Sequence, residues 1–212
     1  MNFLSSLLRS PVRAVALCLD EGERVNVARL SLSSIVLGGL AFGAAAGSFR
    51  GAGQALLAAL KLPGVTLLTL AVAGPAFYVL ASAFGRSWGF RSTLALMLAA
   101  GARSSLVLFA LSPALGLAAS SGVGYEPLRL LALGGYALGG LSGLRLLLVA
   151  LGDAPGRVGA LLSFIAVFGA VGVQSAWLLR PFLGDPRDTA VPVFAHGRVE
   201  GGIVGALFDR RP

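Results

Sequence analysis

The sequence predicts an all-α fold: a polytopic bundle of transmembrane helices, about five spans, with short interfacial helices at both ends. Three observations predict it. Residues 62–84 read LPGVTLLTLAVAGPAFYVLASAF, an uninterrupted stretch without a charge. An apolar helix of ~20 residues crosses the ~30 Å hydrocarbon core of a bilayer. Next, 56% of the 212 residues are hydrophobic and only 12% are charged, against roughly 25% charged in soluble domains. Finally, there are 30 glycines, several of them four apart, as in helices that approach one another closely within a membrane.

Taken in order, the chain opens with residues 1–29, an N-terminal interfacial or cytoplasmic segment. It does not read as a secretory signal, because Phe3 to Leu8 is too short for an apolar core and no small-residue cleavage site follows. Phe3, Leu4, Leu7 and Leu8 share one helical face. Ser10 and Pro11 form a cap and first-turn pair, and Gly22 is a stop. Val12, Val15, Ala16 and Leu19 give a second short apolar face. The segment is expected as one or two short helices lying in the interface.

The five spans are expected at about 30–48, 62–84, 92–115, 128–151 and 158–179, so that 30–180 forms the transmembrane domain. In the first, Gly39, Gly43 and Gly47 repeat G-x-x-x-G on one face. Residues 50–61, RGAGQALLAALK, are too short and too polar at their ends to span, and are expected as a surface helix or re-entrant turn. Pro75 in the second span removes a helical hydrogen bond and frees the Ala71 carbonyl, so a kink is expected. The loop from Gly85 to Arg91 carries Trp88 and Phe90, suited to an interfacial belt. The third span holds Arg103, the one charge well inside a span. In the fourth, Gly135, Gly139 and Gly143 repeat the zipper of the first. The two zipper faces are expected to pack against each other within one subunit, with dimerisation as the alternative. GDAPGR at 152–157 is a turn by composition. The fifth span ends in Trp177, Arg180, Pro181 and Phe182, an interfacial anchor in which Trp sits at headgroup level, Arg meets phosphate and Pro ends the helix. Residues 181–212 form a proline-rich polar tail, with a short surface helix near 201–208. Basic residues divide almost evenly between the two ends of the spans, so the charge rule only slightly favours the N-terminus inside.

Composition also excludes. The net charge of +8 comes mainly from arginines that flank apolar runs. Lipid headgroups are their partner, and no nucleic acid is expected, since no basic cluster is interleaved with aromatics. Cys18 is the single cysteine, which rules out an internal disulfide within this sequence. Every acidic residue lies in a loop or tail, so no metal site, no cofactor and no carboxylate-coupled transport is expected.

Gly47-Ser-Phe-Arg-Gly51, Gln54 to Pro63, Pro75-Ala-Phe-Tyr-Val-Leu80, Trp88-Gly-Phe-Arg91 and, most specifically, Ala176 to Pro186 around Trp177, Arg180, Pro181 and Phe182 resemble a family of small bacterial multispan membrane proteins, distantly similar to the Yip family. Some of its members carry an actin-binding label, which no soluble amphipathic helix with a following basic motif supports here. The resemblance implies a five-span, non-enzymatic protein of the bacterial inner membrane, and supplies no substrate or catalytic residue.

Two polar features remain. Gly140-Leu-Ser142-Gly143 matches the G-x-S-G of intramembrane serine proteases, but the only histidine, His196, lies in the tail. Such a serine needs a base within hydrogen-bond reach, so a chance match is expected. Arg103 sits near mid-membrane, where its charge costs about 2.5–3.5 kcal/mol. It is expected to face inward onto neutral acceptors: the Ala71 carbonyl, Gln174 on the fifth span, Ser104 or Ser105. The alternative is snorkelling to an interface. The sequence therefore points to a non-catalytic integral membrane protein of scaffold, assembly or trafficking type, with a membrane-protein partner or a second copy as its partners beside the bilayer. The alternative is a channel or small-molecule permease subunit, and an intramembrane serine protease comes third. A dry, paired Arg103 favours the scaffold, and an arginine lining a wet cavity favours the permease.

Overall fold

The computed structural model describes residues 3–153 and 156–179, with 174–179 through their backbone only. These residues form seven helices: α1 (Phe3–Arg9), α2 (Pro11–Leu19), α3 (Arg24–Gly47), α4 (Ala52–Ala83), α5 (Phe90–Ser120), α6 (Tyr125–Leu151) and α7 (Arg157–Leu179). No strand occurs among the described residues. The fold is an all-α bundle.

Four helical segments, Arg24–Arg50, Ala52–Ala83, Phe90–Ser120 and Tyr125–Leu151, are long and apolar enough to cross a membrane, and they support a membrane location. Large apolar side chains lie exposed along all of them, including Leu37, Val72, Val79, Phe109, Leu117, Leu131 and Leu141. In water such a surface would be costly, whereas acyl chains solvate it. The side-chain-resolved part of α7, Arg157–Val173, is apolar but shorter than these four.

Helix α3 is the axis of the bundle, packed along both α4 and α5, with α6 on the far side of α5 and α7 against α4. Close approach at this axis is possible because side chains are missing. A Cβ placed on Gly43 would lie 2.5 Å from the Ala58 carbonyl oxygen, and one on Gly47 would lie 2.6 Å from that of Gln54. Gly38, one position before the zipper, abuts the Ser105 backbone in the same way on the α5 side. The turn from α3 to α4 is a 3-10 turn at Ser48–Arg50 closed by Gly51, whose φ of 114° lies where a Cβ is disfavoured.

Three expectations change. Residues 50–61 form no separate surface helix. From Ala52 they are the first turns of α4, a helix of 32 residues with Pro63 and Pro75 inside it. At 1.5 Å per residue that is ~48 Å, longer than the ~30 Å hydrocarbon core, so the polar ends of this run can lie outside the core without breaking the helix. Pro63 is accommodated at the seam itself: a Cβ on Gly39 would come within 3.0 Å of its ring, so the glycine makes room for the proline. Helix α3 also begins earlier than expected, at Arg24.

The third change concerns the N-terminus. Two short helices form, divided at Ser10–Pro11, as expected. Beyond that, they contribute to the core of the bundle. Phe3, Leu7, Ala14, Val15 and Cys18 are buried in the same core as Val27, Ile35, Leu96, Leu146 and Leu147. The α1–α2 hairpin is tucked against α3, α5 and α6, while Leu8, Val12 and Ala16, expected on its apolar faces, are exposed.

Candidate functional site

Arg103 lies near the middle of α5 and is 7% exposed. Its Nε–H donates to Ser142 Oγ on α6 at 2.9 Å, and its NH1 donates to the Leu7 carbonyl at the end of α1 at 2.6 Å. The second acceptor has a local cause. In a continuous helix the Leu7 carbonyl would accept from the N–H of residue 11, but that residue is Pro11 and has none. The proline that ends α1 leaves an orphan carbonyl, and the guanidinium supplies the missing donor. An α5 side chain leans toward its own helix N-terminus, the end against which the α1–α2 hairpin packs.

Arg103 therefore faces inward onto neutral acceptors, but not onto those named from the sequence. Ser104 Oγ donates instead to the Ala100 carbonyl of its own helix at 3.1 Å. The hydrogen bonds of Arg103 go neither to Ser105 nor to the Ala71 carbonyl. Gln174 has its side chain outside the described residues, as do Trp177, Arg180, Pro181, Phe182 and His196. Ser142 faces a guanidinium, which carries donors and no acceptor, so this neighbour cannot take its proton.

The zipper glycines separate into two seams. Gly39, Gly43 and Gly47 face Pro63, Ala58 and Gln54 on α4. Gly135 faces the Phe42 ring of α3 and Leu111 of α5, while Gly139 and Gly143 face the α5 backbone at Ser104 and Ala100. The expected packing of one zipper on the other is not what forms. Helix α5 lies between them, and the Phe42 ring reaches across, edge-on to Tyr136 with centroids 5.4 Å apart.

On the other side of α6 packing is open. Helix α7 lies along α4 and meets α6 only sparsely, and Phe164 of α7 sits edge-on to Phe77 of α4 at 4.9 Å. The gap is a cavity of about 520 Å³. Its wall is almost wholly aliphatic and aromatic, with Leu70, Met97, Leu147 and Phe164 toward one end and Arg129 toward the other. Arg103 does not line it. Neither the cavity nor the arginine's partner was anticipated from the sequence. Pro11 was the available signal for the second.

Among the described residues no three His, Cys, Asp or Glu side chains cluster in a way that could hold a metal ion. Cys18, outside the long apolar helices, is fully buried, and burial pushes its thiol up to about 12 from an ordinary 9.0. Comparison with known protein families, with curated proteins and with solved structures gives no match.

Proposed function

We propose that this is a non-catalytic, multi-pass integral membrane protein, a scaffold or assembly component of a bacterial inner membrane with α7 as its fifth span. The observation that carries the reading is the state of Arg103: buried, bonded to a carbonyl and a hydroxyl, and not among the residues that line the cavity. A charge that pins helices together is structural, and a permeation path needs polar groups facing its lumen. The resemblance to small bacterial multispan proteins agrees with the reading. Ser142, bonded to a guanidinium, fits a packing role better than a nucleophile's.

The test is water access. Arg103→Cys, in a Cys18→Ala background and in sealed vesicles, is expected to resist a membrane-impermeant thiol reagent from both sides. Ready labelling would put water at that depth and replace this reading with a channel or permease subunit, for which the 520 Å³ cavity is the supporting observation. Cross-linking in intact membranes followed by identification of the linked chains is expected to give a defined protein neighbour. Linkage to none would remove the scaffold role.

A further inference from the structure

The cavity between α4, α5, α6 and α7 is bordered by apolar helices, and its α6 and α7 walls meet only sparsely. We propose that it is a binding site for one acyl chain of an anionic phospholipid, with the headgroup phosphate at Arg129. This rests on the membrane placement above and not on the scaffold role.

Four observations carry it. The volume of about 520 Å³ falls inside the roughly 300–1,000 Å³ of small-molecule sites. At about 30 Å³ for each water-sized group, it holds on the order of 15–20 methylenes, one long chain and not a two-chain lipid. The shape is elongated. Arg129 and Leu147 both line it, and their separation along α6 is ~27 Å at 1.5 Å per residue. The wall contains glycines with nothing opposite them. A Cβ on Gly140 or on Gly169 would meet no atom within 4 Å, so these two positions face space in the cavity they line. Unlike Gly43 or Gly139, they are not needed for helix contact. Finally, Arg129 lies in the second turn of α6 and its side chain is half exposed, paired at 3.3 Å with Glu126 on the same helix. An exposed i,i+3 pair contributes little, so the guanidinium can turn to a phosphate, which it binds with paired N–H donors.

Thr66, Ser104, Ser105 and Tyr136 also line the wall, and the Thr69 hydroxyl differs from theirs. It is buried and has no hydrogen-bond partner among the described residues. An acyl chain offers it nothing, so Thr69→Val is expected to keep or increase occupancy. A polar ligand would lose affinity by the same change.

The experiment uses the full chain in bilayers of phosphatidylcholine doped with phosphatidylglycerol carrying a photoactivatable diazirine on one acyl chain. Cross-linked peptides are mapped by mass spectrometry. Label is expected on the cavity faces of α6 and α7, and also on the outward residues Val79 and Leu117, which report membrane embedding. Gly140→Leu with Gly169→Leu should abolish the cavity label and leave the outward label intact. Arg129→Gln should remove the preference for the phosphatidylglycerol probe over the equivalent phosphatidylcholine probe. Cavity label that survives the double glycine variant overturns the site. So does its loss in Thr69→Val, which would mean a polar ligand. A cavity closed to probe but cross-linked to residues 180–212 of the same chain would assign the space to the tail and overturn the lipid. Absence of label at Val79 and Leu117 would instead remove the membrane reading itself.

Discussion

Gly139 and Gly140 are neighbours in the chain with different surroundings. A side chain on Gly139 would meet the Ser104 carbonyl oxygen at 3.1 Å, and one on Gly140 would meet nothing within 4 Å. The same contrast holds for whole regions. Along α3 the glycines bring backbone onto backbone, and along the α6–α7 side they line a cavity. Glycine in a membrane helix thus has two opposite uses, removal of a barrier to contact and removal of a side chain from a space. Spacing alone does not distinguish them, because both uses want a small residue on one face.

The largest expected effect is at the tight seam. Gly43→Leu must displace the Ala58–Ala59 backbone, which approaches to 2.5 Å of the added Cβ. Overpacking costs typically 1–3 kcal/mol where side chains can yield, and backbone yields less, so the loss should be at least about that. Gly140→Leu, one methylene-rich side chain into open space, should leave stability unchanged or raise it. Thermal unfolding in mild detergent measures both. Equal losses would abolish the distinction between seam and cleft.

The second expected effect concerns the pin between α1, α5 and α6. Ser142→Ala removes one of two acceptors of a buried guanidinium and should destabilise by about 1.5–3 kcal/mol, the usual range for hydrogen bonds to charged groups. Arg103→Leu leaves the Leu7 carbonyl without its donor and should also destabilise. The double variant should lose less than the sum, because the two residues share one contact. Strict additivity would show that the contact contributes nothing to stability.

A smaller contrast lies on α6. Gly139→Leu should lower stability by roughly 1–3 kcal/mol through overpacking against α5. Leu138→Ala, at a side chain 55% exposed, should fall within about 0.5 kcal/mol, as surface changes do. If both behave alike, the α5–α6 seam is less closed than its geometry indicates.

These contrasts show how far the sequence could be read. The long apolar helices and the zipper faces were legible because charge, length and spacing are local properties. The partner of each face was not, because G-x-x-x-G marks a surface able to approach closely without saying what approaches. Residues 50–61 were misjudged for a physical reason: Arg50 and Lys61 bracket them, which makes a helix extending beyond the hydrocarbon core look like a separate short one. The inward orientation of Arg103 followed from the cost of an exposed charge in lipid. Its main acceptor did not, since a backbone carbonyl has no letter of its own. The missing N–H of Pro11 did encode it, by the reasoning that singled out Ala71 ahead of Pro75. The cavity depends on how far α7 stands from α6, which no local pattern records.

The smallest expected effect probes whether the N-terminal hairpin belongs to the tight region. Cys18 is fully buried in the core that α2 shares with α5 and α6, and burial pushes its thiol up to about 12 from 9.0. Two consequences follow in the folded protein. Near pH 8 the thiolate is scarce and shielded, so alkylation should be slow until denaturant exposes the residue. The raised value also fixes the sign of a pH effect. A group that holds its proton more tightly when folded contributes its full stability below pH 9, and that contribution fades as pH rises from 9 toward about 12. Cys18→Ala removes the titration and should flatten that part of the stability profile. Cys18→Ser should do worse than Cys18→Ala near neutral pH, because an unpaired hydroxyl at a fully buried position costs about 1–3 kcal/mol. If Cys18 in the native protein alkylates as quickly as in denaturant, the hairpin opens readily. The tight region would then end at α3, and Arg103 would lose its Leu7 partner for much of the time.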